Sequence, residues 1–162
     1  MLTHANEFDH QQIPFQAGIK SSESELKFKV WNAARHSFYL NMYFTVGDPD
    51  DPSRNKDRDR VRKLAGSGGY NTVTKRPIDN GLAIPVRLTL VRLNEKDSEL
   101  ILNELYQDPL YEGFSEKYYS KLIVRYKLEP GTYKARIEAL KDLPPLQTVP
   151  VQFDVHVAHD RL

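Results

Sequence analysis

The sequence predicts a mainly β protein, an immunoglobulin-like antiparallel β-sandwich of seven to eight strands with one short inserted helix at about residues 54–65. Apolar and polar side chains alternate in several segments, as in strands that bury one face. Turn-forming residues separate these segments at short intervals. Only the segment near residue 60 has the 3.6-residue period of a helix. Two sheets that cover each other's apolar faces are the usual way to bury such strands.

The alternation is clearest in Tyr118–Leu140, on both sides of the turn Glu129-Pro130-Gly131. Proline presets φ for a turn, and glycine accepts the positive φ that other residues resist. The sequence therefore predicts a β-hairpin with one buried face. That face comprises Leu122, Val124, Tyr126, Leu128, Tyr133, Ala135, Ile137 and Ala139.

The other elements follow from the same patterns. Ser53 or Asn55 can cap a helix that reaches Ala65 and stops at Gly66. Residues 66–81 have no period and are predicted to form a long loop, while residues 98–105 fit either a strand or a helix. Further strands are predicted at residues 13–20, 26–31, 37–46, 83–93 and 149–157. The expected core comprises Leu40, Met42, Phe44, Leu88, Val124, Tyr126, Ile137, Phe153 and Val155.

Composition limits the class of protein. A chain of 162 residues with 40% apolar and 28% charged residues is typical of one globular domain, expected at residues 13–162 after a flexible segment at 1–12. With a net charge of +1, no global field attracts nucleic acid or a membrane, so an electrostatic partner must meet a local patch. The lack of cysteine excludes disulfides and thiolate chemistry. No apolar run reaches the roughly 18–20 residues of a membrane helix.

No motif for catalysis or metal binding stands out. Asp48, Asp50 and Asp51 lack the glycine and closing glutamate of a calcium loop. Gly66–Gly69 lacks the Gly-Lys-Ser/Thr of a phosphate loop. His156 and His159 are three apart on a predicted strand, so they would point to opposite faces. The sequence predicts no enzyme, no catalytic residue, no metal and no cofactor.

The densest charge cluster lies on the predicted helix. Arg54, Arg58 and Arg62 recur every four residues, and Lys63 follows them. They form either a docking surface for an acidic protein partner or a solvated face whose ion pairs are worth little. Because a sandwich does not need the insertion at residues 47–81, we expect the arginines to be exposed and to bind a partner there.

Aromatic residues concentrate at residues 106–119. If exposed, Tyr106, Tyr111, Phe114 and Tyr118 would form a platform for a carbohydrate or another small ligand. If buried, they would close one end of the sandwich, since aromatic side chains dominate such cores. A binding module for another protein and a small-ligand binder therefore both remain open.

Several segments together resemble a bacterial family known only as a domain of unknown function. They are FYLNMYF, DRDRVRKLAG, IPVRLTLVRL and LEPGTYKARIEAL, and the resemblance covers roughly Phe15 to Val157. It implies an immunoglobulin-like sandwich on exported or lipid-anchored proteins of Gram-negative bacteria, with no activity and no catalytic residues. A periplasmic or outer-membrane-associated protein is thus expected. An immunity protein that covers a toxin is one form that a protein-binding module of the cell envelope would take.

The N-terminal residues bear on that expected location. Residues 1–12 lack the basic and apolar regions of a signal peptide. Two interpretations stay open: a cytoplasmic protein, or an exported one whose leader was removed, in which case a lipid anchor would fit.

Overall fold

The structure is a computed structural model that describes residues 11–45 and 50–158, apart from the side chain of Arg54. The predictions for residues 1–10, for Val46 and Asp48, and for His159 fall outside this part of the chain.

Eleven strands and one α-helix form in the described residues. In chain order they are β1 (Gln11–Pro14), β2 (Glu23–Val30), β3 (Ala34–Tyr43), α1 (Pro52–Ala65), β4 (Ser67–Asn71), β5 (Arg76–Asp79), β6 (Val86–Leu93), β7 (Ser98–Tyr106), β8 (Leu110–Phe114), β9 (Tyr118–Leu128), β10 (Gly131–Ala139) and β11 (Val151–Val157).

The strands make two main antiparallel sheets and a small one. The five-stranded sheet has the order β1-β11-β3-β9-β8, and the four-stranded sheet has the order β2-β10-β6-β7. Strands β4 and β5 pair only with each other, and we call this unit the ribbon. The mainly β class with one inserted helix is confirmed, although the strands outnumber the seven to eight predicted.

The two main sheets bury their apolar faces against each other. Phe28 of the four-stranded sheet lies 6.3 Å, between ring centroids, from Phe38 of the five-stranded sheet. Phe28 also stacks on Tyr133 at 5.7 Å, and Phe38 stacks on Phe153 at 6.3 Å. These rings lie in the middle of the core that both sheets line. Most of the predicted core is confirmed, namely Leu40, Met42, Phe44, Leu88, Ile137, Phe153 and Val155.

The predicted hairpin at Tyr118–Leu140 is wrong. β9 pairs with β3 and β8, whereas β10 pairs with β2 and β6 in the other sheet. The turn at Glu129–Pro130 therefore carries the chain from one sheet to the other. Period-two alternation shows which side chains of a strand are buried, but it does not show which strand lies beside it.

A bulge changes the buried face of β9. Its pairing with β3 slips between Phe38 and Tyr39, which leaves Ile123 as the extra residue. Before the bulge the buried side chains are Tyr119, Lys121 and Ile123. Val124 and Tyr126, predicted as core, are only partly buried and pack at its margin.

The helix and the following segment differ in detail from the prediction. Asp51 caps α1, since its side chain accepts a hydrogen bond from the Ser53 amide, and neither Ser53 nor Asn55 takes that position. Gly66 ends the helix as predicted. Residues 66–81, predicted as a loop, contain the ribbon, and residues 98–105 are strand.

Gly81 closes the base of the ribbon against the end of α1, and its substitution gives the first prediction. Its φ is +65°, and a Cβ there would lie 2.4 Å from the Leu64 carbonyl oxygen and 2.6 Å from the Gly66 amide nitrogen. We expect Gly81→Ala to lower the free energy of unfolding by about 2 kcal/mol or more, because both the backbone and the contact become strained.

Gly68 is the matched control, since a Cβ at that position meets no atom within 4 Å. Gly68→Ala should change the free energy of unfolding by no more than about 0.5 kcal/mol. Urea denaturation of both variants measures the difference. Equal stabilities for the two would contradict this account of the ribbon base.

Candidate functional site

The insertion between β3 and β6 rests on the sandwich through the inner face of α1. Val61 and Ala65 are fully buried, and Leu64 packs at the margin of the core. The helix contacts β3 and β9. Consequently the helix is part of the sandwich surface and presents its remaining side chains in a fixed orientation.

Arg58 belongs to this inner face, so the expectation that it is exposed is wrong. Its Nε donates to the Tyr119 hydroxyl at 3.3 Å, and its guanidinium carbon lies 5.6 Å from the centroid of the Phe44 ring. Arg62 is half-buried as well, whereas Lys63 is exposed. Among the helix cations whose side chains the structure describes, Lys56, Arg60 and Lys63 are exposed. Partner binding at Arg54, Arg58, Arg62 and Lys63 stays a prediction.

A buried lysine joins the end of the insertion to the sandwich. Lys121 of β9 is completely buried, and its Nζ donates to the carbonyl oxygens of Asn80 and, at 2.8 Å, of Leu82. Burial lowers the pKa of its ammonium group to about 8, although the carboxylates of Asp108 and Asp79 act in the opposite direction. In the sequence, the sign of this buried lysine is its position between Tyr119 and Ile123, which alternate with it along β9 and are buried on the same face.

The side chain of Asn80 holds the ribbon to β8. Its Oδ1 accepts from the Tyr111 amide at 2.6 Å, and its Nδ2 donates to Asp108 Oδ1 at 2.8 Å and to the Pro109 carbonyl at 3.1 Å. Arg76 of β5 forms an ion pair with Asp108. The ribbon is therefore attached to the rim of the five-stranded sheet by hydrogen bonds to both backbone and side chains.

A groove separates the ribbon from β8 and β9. Its volume is about 350 Å³. Tyr70, Lys75 and Pro77 line the ribbon side, and Tyr111 and Arg125 line the opposite side. Three apolar side chains of the ribbon segment point into solvent: Tyr70, Val73 and Ile78 are 58, 89 and 73% exposed. Tyr70 also lines the groove, whereas Ile78 follows the groove-lining Pro77 and points to the other face of the ribbon. Such a concentration is typical of an interaction surface.

The outer face of the five-stranded sheet carries a polar network that periodicity alone did not reveal. Ser120 donates from its hydroxyl to Asn41 Oδ1 at 2.8 Å, and Asn41 Nδ2 donates to Asp154 Oδ2 at 2.7 Å. The other oxygen of Asp154 lies 3.3 Å from His156 Nδ1. Asn41 and Asp154 are each only 1% exposed, so flanking side chains cover the network.

This order of groups does not activate the serine. A serine nucleophile needs a base that accepts its proton, usually a histidine nitrogen. Here the Ser120 hydroxyl is directed at an amide oxygen, which is very weakly basic. Asp154 lies between Asn41 and His156 and joins the two rather than orienting a base toward Ser120.

The predicted aromatic platform is divided among different surfaces. Phe114 and Tyr118 line a depression of about 240 Å³ on the outer face of the five-stranded sheet, and Tyr111 lines the groove beside the ribbon. Tyr106 lies on β7 in the other sheet and packs against the core. The four aromatic residues therefore do not form one continuous exposed surface.

Within residues 11–45 and 50–158, no cluster of three or more metal-ligating side chains forms. Asp51, one of the three aspartates singled out in the sequence, serves as the helix cap. In the same part of the chain, no helix combines the length and the apolar character needed to cross a membrane.

A family model described as a domain of unknown function, DUF5625, matches residues 12–157. The chain belongs to the DUF5625 family. The DUF5625 fold is also similar to the crystal structure of a protein from Sulfurospirillum deleyianum, with a TM-score of 0.77 and 20% identity over 94% of this chain and 99% of that one. At this identity the likeness shows the fold alone.

A more remote likeness is to the pre-peptidase C-terminal domain of collagenase from Bacillus anthracis. Its TM-score is 0.36 and its identity 6%, over 98% of this chain and 95% of that one, which carries no argument about this DUF5625 chain. No curated protein matches the chain.

Arg58 and Lys63 give a second prediction, since they lie on the same helix in different surroundings. Arg58→Ala should lower the free energy of unfolding by about 1–2 kcal/mol, because it loses the contact with Phe44 and the hydrogen bond to Tyr119. Lys63→Ala should stay within about 0.5 kcal/mol of the wild type. Urea denaturation measures both, and an unchanged stability of Arg58→Ala would show that Arg58 is not part of the helix–sheet contact.

Lys121 gives a third prediction, on pH. Between pH 8 and the ordinary lysine pKa of 10.5, the folded protein has released a proton that the unfolded chain still binds. The unfolded state then binds more protons, so stability rises with pH, by about 1 kcal/mol per unit and roughly 1.5 kcal/mol between pH 8 and 9.5.

The control for this pH effect is Lys121→Met, which cannot titrate at that position. Burial raises the pKa of Tyr106 and Tyr111, so their ionisation opposes folding at still higher pH in both proteins. The difference between wild type and Lys121→Met in urea denaturation isolates the lysine. The same pH dependence in both proteins would contradict the assignment.

Proposed function

We propose that this protein is a non-catalytic binding module that docks another protein through the ribbon and the adjoining groove. The observation that carries the proposal is the exposure of Tyr70, Val73 and Ile78 on the ribbon, together with the groove that Tyr70 lines. Apolar and aromatic side chains of this kind, when held on a rigid support, supply most of the binding free energy at protein interfaces. The hydrogen bonds of Asn80 and Lys121 provide that support.

The charges around the ribbon favour an acidic partner segment. Lys75 lines the groove and is exposed, and Lys56 and Lys63 are exposed on the helix that precedes the ribbon in the chain. Arg125 also lines the groove, where it pairs with Glu112. A partner with apolar side chains flanked by carboxylates would bury the apolar side chains of the ribbon and meet these cations at its rim. Immunity proteins, which bind and cover a toxin, are one class of protein-binding module.

Two further parts of the proposal concern catalysis and location. The arrangement of Ser120, Asn41 and Asp154 supports a non-enzymatic role, because the serine proton is directed at an amide oxygen. We propose the periplasm or the outer membrane as the location, with the cytoplasm as the alternative, and the support is the family resemblance noted in the sequence.

A small polar ligand or carbohydrate is the second candidate, and the depression beside Phe114 and Tyr118 favours it. Phe114 is 67% exposed and could stack on a sugar ring. The polar side chains in the floor are already hydrogen-bonded to one another, as Asn41 is to Asp154 and Ser120. This leaves less hydrogen-bonding capacity for a ligand, so the ribbon is the better candidate.

The experiment that tests the proposal is site-specific photo-crosslinking in the native organism, our fourth prediction. A photoreactive phenylalanine analogue at Val73 should capture a defined partner protein, whereas the same analogue at the exposed Lys141 should not. With the purified partner, Tyr70→Ser/Val73→Ser/Ile78→Ser should weaken binding by at least about tenfold, because the central apolar contacts are lost.

The surface control is Phe114→Ser, which removes an exposed apolar side chain outside the ribbon. It should bind the partner as tightly as the wild type does. If the ribbon variant retains full affinity, or if the partner crosslinks equally well at residue 141, the ribbon is not the docking surface. If only Phe114→Ser loses affinity, the depression on the five-stranded sheet is the site instead.

A further inference from the structure

The outer face of the four-stranded sheet collects positive charge. Pairing of β2 with β10 places Lys27 beside Lys134, and Lys29 and Arg136 lie one step away on either side along these strands. The side chains that alternate with them, among them Phe28 and Ala135, are buried in the core. The four cations therefore share the face that points away from the core.

One carboxylate lies beneath these cations. The Glu25 side chain is 6% exposed, and its oxygens lie 3.2 Å from Arg136 Nη2 and 3.9 Å from Lys134 Nζ. Other carboxylates on this face, Glu23 and Glu138, pair with each other in register at the far end of the strands. Positive charge therefore exceeds negative charge over the part of the face that adjoins Trp31.

Exposed apolar side chains border the same face. Trp31 follows directly after β2, is 62% exposed, and has Lys29 Nζ 4.4 Å from its ring centroid. At the opposite edge of the sheet, on the same face, Leu100 of β7 is 61% exposed and lies in register with Val91 of β6. A tryptophan, lysines and an exposed leucine thus lie on one open sheet face.

We propose that this face, defined by Lys27, Lys29, Trp31, Lys134 and Arg136, adsorbs to an anionic phospholipid surface. Lysine and arginine near a bilayer are attracted by its negative surface potential. Tryptophan favours the region of the headgroups, and leucine gains by entering the acyl boundary. A bilayer requires no complementary shape, which suits an open sheet face.

A nucleic acid fits this face less well. Single strands bind through successive bases that stack on several aromatic side chains. Trp31 is the only tryptophan in the chain, and Lys29 already lies over its ring. The face is also separate from the ribbon, so the proposal is independent of the protein-docking function and its test cannot be confused with the test of that function.

Trp31 supplies the measurement, the fifth prediction, because all tryptophan fluorescence of the protein comes from this face. Vesicles of phosphatidylcholine containing phosphatidylserine should shift its emission to shorter wavelength and carry the protein into the pellet on sedimentation. Vesicles of phosphatidylcholine alone should do neither. The binding should weaken as salt is added, since the attraction is electrostatic.

The variant Lys27→Gln/Lys29→Gln/Lys134→Gln should bind the anionic vesicles with about a hundredfold lower affinity, measured by sedimentation. Each charge removed should lower the affinity roughly fivefold. The matched control, Lys20→Gln/Lys117→Gln/Lys141→Gln, removes the same charge from exposed positions outside both this face and the ribbon, and should bind as the wild type does. Circular dichroism of both variants verifies that they are folded.

Three results would overturn the proposal. One is equal binding to vesicles with and without phosphatidylserine. Another is an equal loss of vesicle affinity in the two lysine variants, which would show that only the net charge of the protein matters and not the position of the lysines. The third is binding of polyglutamate or a single-stranded oligonucleotide through Lys27, Lys29 and Lys134 without binding to vesicles, which would make the face an interface for a macromolecule.

Discussion

The buried ammonium group of Lys121 fixes the position of the end of the insertion, where the ribbon returns to the sandwich. It donates to the carbonyl oxygens of Asn80 and Leu82, the residues at which the chain returns from the ribbon to the sandwich. Burial of the charge costs folding free energy at neutral pH, as the lowered pKa shows. An apolar residue would avoid that cost but would leave two carbonyl groups without their partner. The lysine therefore holds Asn80 and Leu82 in place, and the shape of the groove beside β8 depends on these contacts.

The sandwich separates two surfaces with different chemistry. The ribbon and its groove lie at the rim of the five-stranded sheet, where exposed apolar side chains such as Val73 predominate. The outer face of the four-stranded sheet instead carries Lys27, Lys134 and Arg136 on neighbouring strands. The two surfaces therefore belong to different sheets of the sandwich.

Much of the fold could be predicted from the sequence, because burial on one side of a strand leaves a local signal. Phe38, Leu40 and Met42 alternate without interruption, and they are fully buried in β3. The end of the helix at Gly66 was also predictable, since glycine commonly terminates helices. The partners of β9 could not be predicted from the sequence, because long-range packing determines which strands are neighbours. Its bulge shifts the buried face by one residue, so Leu122, predicted as buried, lies on the face opposite to Lys121 and Ile123.

The candidate site was less predictable for related reasons. Arg58 fits an exposed basic stripe by spacing alone, and only the position of Tyr119 on another element shows that it turns inward. The ribbon has few residues with regular alternation, and its glycines weaken any strand signal. Lys121 carries the contact that matters most, yet a lysine within a strand is ordinarily taken as solvent-facing.

Hydrogen exchange measured by mass spectrometry tests the role of Lys121 most directly. In the wild type, the amides of Leu82 and Tyr111 should be protected, because they donate to the Leu64 carbonyl and to Asn80 Oδ1. In Lys121→Met, peptides that cover residues 66–82 should exchange faster while those from β3 and β10 remain protected. Unchanged protection at residues 66–82, or an equal loss throughout the chain, would contradict the claim that this lysine positions the insertion.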